Sequence, residues 1–533
     1  MQQKKQRRQY YYFLSLALML LIIFSAASSA EAKEDKFLII HLDAVSSIDF
    51  FKELEEGRLP NTAELFASGQ QSRYGLTLYP GGTEMIYPRL KEGLDNSQKS
   101  LIGWGFLERE TGRKIRDIPI FLELVSSFSR RNRHQFLLGF PVLTNLAGLS
   151  LLNIERLWET QDVVEFFWFH TDVMGHLLGR DHHLKSLRRF DYFLGLAAKS
   201  GRLDGANVIL YTDHGMTTED VEVVYHKRVI LDALGSRIKF LAYPNIYLYN
   251  PEDKVELARQ MAKEAELDLA LVKISKDVIR GYSSGGSFEV SRSGDRYLYS
   301  FLGSDYFGYL EAGCADVYLS KEEWLQHTKD HLYPAAPPNL FGYLSNPSVG
   351  DIVIVIDSPR IPFAFRAQRG NHAGLKNTDL LVPLLFAGPA FAEKEAPGVF
   401  WLHELYSKHF PQLDFKSRRR ERHAFSISYP FRAEVVFSPF YRWRCGLTIQ
   451  GQKAEPWLEC DLYSSFLTRV WGGLRITENR LDWQLKVDAF LGNVAVSWLK
   501  RQGRNGKFSV DLRLNEQVEL NIGAGWAGVS ILF

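Results

Sequence analysis

Lys36-Phe-Leu-Ile-Ile-His-Leu-Asp43 is a short, almost unbroken apolar run that ends on a carboxylate. Two later stretches have the same form, Val163-Val-Glu-Phe-Phe-Trp-Phe-His-Thr-Asp172 and Asn207-Val-Ile-Leu-Tyr-Thr-Asp213. Continuous apolarity over so few residues, in place of alternation, marks strands buried on both faces, as in a mostly parallel sheet covered by helices. Helix-like stretches lie between them, over 61–68 and 183–198. In the second, Leu184, Leu187, Phe190, Leu194 and Ala197 recur at spacings of three and four, the stripe a helix lays on a core. Strand alternating with helix predicts a doubly wound α/β domain whose ligands sit off the carboxyl ends of the strands. Asp43, Asp172 and Asp213 fall there.

Outward from these runs the pattern changes. Residues 283–345 are aromatic and Gly-rich with turn signals, such as Ser284-Gly-Gly-Ser287, and read as an insertion at the rim of the site. Gly350-Asp-Ile-Val-Ile-Val-Ile-Asp357 reads as a further strand, and 379–388 as another apolar run. The expected catalytic domain spans 33–410. Residues 411–424, with Lys416-Ser-Arg-Arg-Arg-Glu-Arg422, form a basic linker, a charge run that ordinarily serves as solvated connection. From 425 to 533 the chain reads as an additional C-terminal all-β domain. Leu481, Trp483, Leu485, Val487 and Ala489 alternate with polar residues, and Asn505-Gly506 is a hairpin signal.

Composition narrows the classes of function. With 533 residues, 46% of them hydrophobic, the chain has the apolar surface that disordered proteins lack. A net charge of +2 provides no concentrated basic face for nucleic acid. Three cysteines are too few for a disulfide scaffold or a cysteine-rich metal cluster. The N-terminus joins Lys4, Lys5, Arg7 and Arg8 to an apolar stretch from Tyr10 to Phe24 and small residues up to Ala32. That is the layout of an export signal over 1–32, cleaved near Ala30 or Ala32; the alternative is an uncleaved membrane anchor. The mature protein is expected outside the cytosol, in the periplasm or secreted.

The residues that carry chemistry are scattered. They are Asp43; Thr83 within Tyr79-Pro-Gly-Gly-Thr-Glu-Met85; Asp172 and His176 within Asp-Val-Met-Gly-His; Asp213 and His214 within Thr-Asp-His-Gly; and His372 within Gly370-Asn-His-Ala-Gly374. Each piece alone has an ordinary reading as helix cap, surface pair or turn residue. Together they supply three carboxylates and three imidazoles, a donor set that suits divalent transition metals, zinc above all. Three of each are enough for two cations, and paired cations can clamp the attacking and leaving oxygens of an in-line displacement.

These motifs resemble the alkaline phosphatase superfamily, and most closely its type I phosphodiesterase/nucleotide pyrophosphatase branch, over roughly 36–389. The resemblance implies an alkaline-phosphatase-like fold and an exported two-metal phosphoric ester hydrolase acting through a phosphothreonine intermediate. It implies Thr83 as nucleophile and metal contact; Asp43, Asp213 and His214 around the nucleophile-side metal; and Asp172, His176 and His372 around the second. Gly57-Arg-Leu-Pro-Asn61 is similar to the family's turn after the first strand, and Val382-Pro-Leu-Leu-Phe-Ala-Gly-Pro389 to its strand after the last histidine. Thr83-Glu84-Met85 does not fit the Cys/Ser-x-Pro-x-Arg motif of the sulfatase branch, so sulfate esters are disfavoured. Glu84, Met85 and Ile86 depart from the phosphodiesterase pattern and leave the substrate open.

Two other readings use the same residues. One is an extracytoplasmic transferase that passes the phosphoryl group, or a phospho-alcohol, to an alcohol in place of water. The other is a non-catalytic, metal-stabilised envelope protein. The tail Gly528-Val-Ser-Ile-Leu-Phe533 resembles the assembly signal of bacterial outer-membrane barrels, which would attach the chain to the envelope or outer membrane. Residues 425–533 are barely long enough for eight very short membrane strands, and Arg442, Arg444, Lys486 and Arg513 would interrupt a lipid face, so the expectation is a soluble β-sandwich or small barrel.

Overall fold

In the computed structural model the run Phe37–Leu42 is a strand with all six residues buried, and Val163–Trp168 and Asn207–Thr212 are fully buried strands of the same length. The described residues are 36–127, 144–158, 162–364, 368–413, 415, and the strands and short turns between 424 and 532. The export signal over 1–32, most of the basic linker, Arg442 and Phe533 lie outside them. Among the described residues no helix is long and apolar enough to cross a membrane.

Residues 37–151 and 165–413 form one compact unit. At its centre is a six-stranded sheet in the order 400–401, 70–76, 381–387, 207–212, 37–42, 163–168. Phe37–Leu42 runs parallel to Asn207–Thr212, with Leu42 opposite Thr212. The sheet is mostly parallel, as expected, with one reversed strand: Leu381–Ala387 runs antiparallel to both its neighbours. This reversal matters to the site. Asp43 and Asp213 follow their strands, whereas His372 precedes its strand, and only opposite strand directions bring the three to one edge.

The expected helix over 183–198 spans Arg180–Lys199, with Leu187, Phe190, Phe193, Leu194 and Ala197 buried. Its Asp191 holds the start of the helix Pro60–Leu65. The carboxylate accepts from the Thr62 backbone N–H (2.7 Å), the Thr62 hydroxyl (2.7 Å) and Asn61 Nδ2 (2.8 Å). These bonds satisfy helix donors that would otherwise be orphaned. Replacing Asp191 by Ala should therefore cost about 2 kcal/mol of unfolding free energy, since the bonds are charge-assisted and buried. Chemical denaturation checks this, and an unchanged midpoint would remove the cap from the account.

A second sheet of eight strands, in the order 319–320, 296–303, 286–293, 278–283, 269–273, 352–355, 245–248, 238–242, is antiparallel throughout. The segment expected as an insertion, 283–345, supplies three of these strands. Ile352–Val355, read from sequence as one more strand of the main domain, pairs inside this second sheet with Leu269–Lys273 and Asn245–Leu248. The reason is chemical: a four-residue apolar run states burial on both faces but not which sheet provides it.

Residues 414–533 fall in the other unit. Ten strands, 424–429, 432–440, 443–450, 453–464, 468–477, 480–491, 494–501, 507–513, 518–523 and 526–532, form a closed antiparallel barrel. It is shut by pairing of the first strand with the last, Ala424 opposite Leu532. The hairpin signal Asn505-Gly506 stands where expected, between strands that pair Leu499 with Lys507. The segment that looked barely long enough for eight very short strands holds ten, because several have only six to eight residues.

Candidate active site

Asp43 and Asp213 leave adjacent parallel strands side by side, and both are fully buried. Asp213 Oδ1 accepts from the backbone N–H groups of Ala44 (3.2 Å) and His214 (3.0 Å), which turns Oδ2 toward the neighbouring side chains. Asp172 stands in the first turn of the helix His170–Leu178, with His176 one turn later on the same face. The Asp172 Oδ1 to His176 Nε2 distance is 3.1 Å. Thr171 Oγ1 donates to the Asp43 carbonyl at 2.5 Å and the Asp43 N–H to the Trp168 carbonyl at 3.2 Å, tying this helix start to the first strand end.

Thr83 is the first residue of the helix Thr83–Glu92, after the extended Gly82. Its hydroxyl donates to Asp43 Oδ1 at 3.2 Å and lies 3.3 Å from His214 Nε2. His372 arrives on the loop ahead of the strand Leu381–Ala387, with its ring centroid 4.1 Å from that of His214 and 5.2 Å from that of His176. All seven residues singled out from sequence therefore meet at one sheet edge.

The three imidazoles are oriented alike. Nδ1 of His176 is 2.8 Å from the Gly370 carbonyl, Nδ1 of His214 is 2.9 Å from the Gly215 carbonyl, and Nδ1 of His372 is 2.5 Å from the Gly81 carbonyl. With Nδ1–H donated to backbone, Nε2 carries the lone pair and faces the carboxylates, the tautomer metal-ligating histidines adopt. Asp43 Oδ2, Asp172 Oδ1 and Asp213 Oδ2 are buried without a hydrogen-bond partner. Buried carboxylate oxygens of this kind call for a cation. Donor atoms of Asp43, Asp213 and His214 lie within 4.8 Å of one another, and so do those of Asp172, His214 and His372. The first group is the one expected. The second contains His214 in place of His176, so His214 joins the two groups while His176 approaches through Asp172.

Charge crowding has the expected consequences. Burial, and then the Asp213 and Asp172 carboxylates, push the Asp43 carboxyl well above its usual range. Burial opposes ionisation of Asp172 and Asp213 too, but neighbouring histidines hold both below the usual range. Burial, with His214 and His176 alongside, lowers His372 to about 3.

Two glycines in the motifs have close neighbours. A Cβ on Gly215 would sit 2.0 Å from the Thr378 carbonyl oxygen, and one on Gly175 would sit 2.3 Å from Met216 Sδ. The backbone contact accounts for the glycine of Thr-Asp-His-Gly without reference to chemistry, whereas at Gly175 the neighbour is a methionine side chain, which can give way.

Some neighbours had no sequence signal. His41 is buried in the first strand, with Nε2 3.3 Å from Asp213 Oδ2; only its polarity within an apolar strand could have marked it. Glu84 is buried beside Thr83, and burial raises its carboxyl to about 7. Asp379 binds the Thr217 hydroxyl and the Gly374 N–H, both at 2.8 Å, and its carbonyl accepts from Gly215. It thereby clamps the loops of His214 and His372 together.

Asp357 supports the same loop by accepting from the Leu375 N–H at 2.6 Å. Burial, opposed by that bond, raises its carboxyl to about 7. Between its ordinary range and about pH 7 the folded chain holds a proton that the unfolded chain has lost. Through this group, then, stability falls as pH rises across that window. Asp357→Asn keeps an acceptor for Leu375 and should flatten that part of the stability–pH curve; an unchanged slope would assign the dependence elsewhere.

The geometry has a counterpart among known families. Residues 123–371 match the family model for type I phosphodiesterase / nucleotide pyrophosphatase. That segment of the chain is similar to this family. The matched segment contains Asp172, His176, Asp213 and His214, and the family is one of metal-dependent phosphoric ester hydrolases. No curated protein matches the chain. Among solved structures, murine and human ectonucleotide pyrophosphatase/phosphodiesterase 5 each share 13% identity over 72% of this chain and 96% of their own, with a TM-score of 0.45. An inactive variant of the murine protein in complex with AMP has the same identity and TM-score.

Proposed function

We propose that the chain is an exported, metal-dependent phosphodiesterase that works through a covalent phosphothreonine. The observation that carries the reading is the position of Thr83 Oγ1, 3.2 Å from Asp43 Oδ1 and 3.3 Å from His214 Nε2, at the start of a helix. The residues fit two divalent cations, zinc first by donor type, with Asp43, Asp213, His214 and Thr83 around one and Asp172, His176 and His372 around the other. Such cations supply Lewis-acid stabilisation of phosphoryl charge and make hydroxyl groups more acidic.

In this reading Thr83 loses its proton to solvent and attacks phosphorus in line, forming a bond from Oγ1 to phosphorus. The bond from phosphorus to the leaving oxygen breaks, and that oxygen takes the electron pair and a proton from solvent to depart as the alcohol. Water then cleaves the phosphothreonine and restores the hydroxyl. The N-terminal dipole of Thr83–Glu92 favours the anionic group. The Nδ1–H bonds of His176, His214 and His372 to backbone hold their Nε2 atoms inward throughout the cycle. The buried surroundings exclude bulk water and strengthen each interaction with the phosphoryl oxygens.

The test is metal analysis of purified protein together with chromogenic phosphate diester, phosphate monoester and sulfate substrates. Turnover of the diester with about two cations bound per chain is expected. Metal-loaded protein inert toward every phosphate ester would overturn the reading.

A further inference from the structure

The C-terminal barrel has its polarity inside out relative to a soluble barrel. On six consecutive strands a large apolar side chain faces outward and is at least 43% exposed: Leu458, Leu474, Trp483, Val496, Phe508 and Ile522. On the same strands the next residue, or a near neighbour of the same parity, turns inward and is polar: Glu459, Arg475, Gln484, Ser497, Asp511 and Asn521.

The inward groups satisfy one another. Arg475 Nε donates to Glu455 at 2.9 Å and Gln484 Nε2 to Glu459 at 2.7 Å. Ser497 donates to Asp488 at 2.7 Å and to Asp511 at 3.0 Å, and Asn521 donates to Asp511 at 3.0 Å. Arg444 pairs with Glu459 at 2.5 Å, its guanidinium 3.9 Å from the Trp471 ring centroid. Lys486 is 3.1 Å from Asp488. Arg444 and Lys486, which from sequence would have broken a lipid-facing surface, thus belong to the interior network.

We infer that this barrel stands in a lipid bilayer and anchors the chain there, where the sequence alone suggested a domain in water. Three observations select hydrocarbon as the occupant. First, the barrel is closed, so every backbone ladder is satisfied within it and no edge meets lipid. Second, the number of strands is even, and four of them, of 9, 12, 10 and 12 residues, reach the roughly 9–11 residues a tilted spanning strand needs, while the other six have six to eight. Third, the apolar surface follows the wall round six adjacent strands. A protein partner covers one side of a cylinder; only a solvent of lipid tails covers a band that turns with it. An apolar belt of this extent is not compatible with a free monomer in water.

The experiment uses the full chain expressed in a bacterial host with two membranes. The protein should stay with the membranes through high-salt and alkaline washes and come off only in detergent. A monodisperse protein in detergent-free buffer after those washes, whether monomer or discrete oligomer, overturns the inference. Val496→Arg should weaken folding into phosphatidylcholine vesicles by roughly 30-fold or more, the counterpart of about 2 kcal/mol for an outward charge at mid-membrane.

Should that variant fail to fold, a second measurement decides. A fluorophore on Val496→Cys, with the native cysteines replaced by serine, should be quenched by vesicles with brominated acyl chains. The same fluorophore at the turn residue Asn505 should be quenched far less. Equal quenching at both positions, or none at either, sinks the proposal.

Discussion

Thr83→Ala should remove nearly all turnover while leaving the protein folded and metal-loaded. The six other donors at the site are untouched, and the hydroxyl is a small part of the contacts of Asp43 and His214, so neither denaturation midpoint nor metal stoichiometry should move appreciably. The chemistry should. Without an oxygen to form the covalent intermediate, kcat on an activated phosphodiester should drop by roughly 1,000-fold or more, about 4 kcal/mol of transition-state stabilisation. What remains would be attack by water in a site that still binds the phosphoryl group. Thr83→Ser retains the nucleophilic oxygen and should recover most of the loss. Rapid quench of the wild type should trap phosphate on Thr83, and Thr83→Ala should trap none. Undiminished hydrolysis by Thr83→Ala would eliminate the covalent route.

The second large effect is expected from His372→Ala. His372 belongs to the second group of donors, close to His214 and His176, with its ring fixed through Gly81. Loss of one imidazole from a three-ligand site should weaken binding of that cation by roughly 100-fold or more, beyond the 10- to 100-fold typical of merely orienting residues. Metal analysis after dialysis against a weak chelator should therefore show about one cation per chain instead of about two, with the rate falling in parallel. Stability gives an independent readout. Asp43, Asp172 and Asp213 bring three buried carboxyls into one site, so cations should stabilise the fold, by about 2.7 kcal/mol when present at 100 times their dissociation constant. His372→Ala should show a smaller metal-dependent rise in melting temperature. Full metal content with lost activity would give His372 a role other than ligation.

The membrane reading and the catalytic reading fail separately. A barrel released into water leaves Thr83 and its neighbours where they are, and an inert site leaves the outward belt of the barrel unexplained by anything but lipid.

The candidate site was legible in the sequence to an unusual degree because its residues follow or precede apolar runs that can only be buried strands. Asp43 and Asp213 each close such a run and Asp172 follows one in the first turn of the next helix, and strand ends are where an α/β sheet leaves room for ligands. His41, Asp357 and Asp379 were not legible. Each acts through a neighbour distant in sequence, as Asp379 does in joining the loops of His214 and His372, and no local pattern encodes such a contact. The eight-stranded second sheet was read only in part, since the strands over 238–273 carry no motif and Ile352–Val355 declares its burial but not its partners.

The barrel marks the same boundary from the other side. Alternation along 481–489 settled that this was a half-buried strand, because side chains of a strand point to opposite faces with a period of two. It did not settle which face was inside. That choice depends on closure of the ladder from Ala424 to Leu532 and on whether Arg444, Lys486, Asp488 and Glu459 can find one another across strands. Residue types and their period are local properties that a sequence carries by itself. Which imidazole meets which carboxylate, and which side of a barrel is dry, depend on contacts between residues far apart in the chain, and these exist only once the chain has folded.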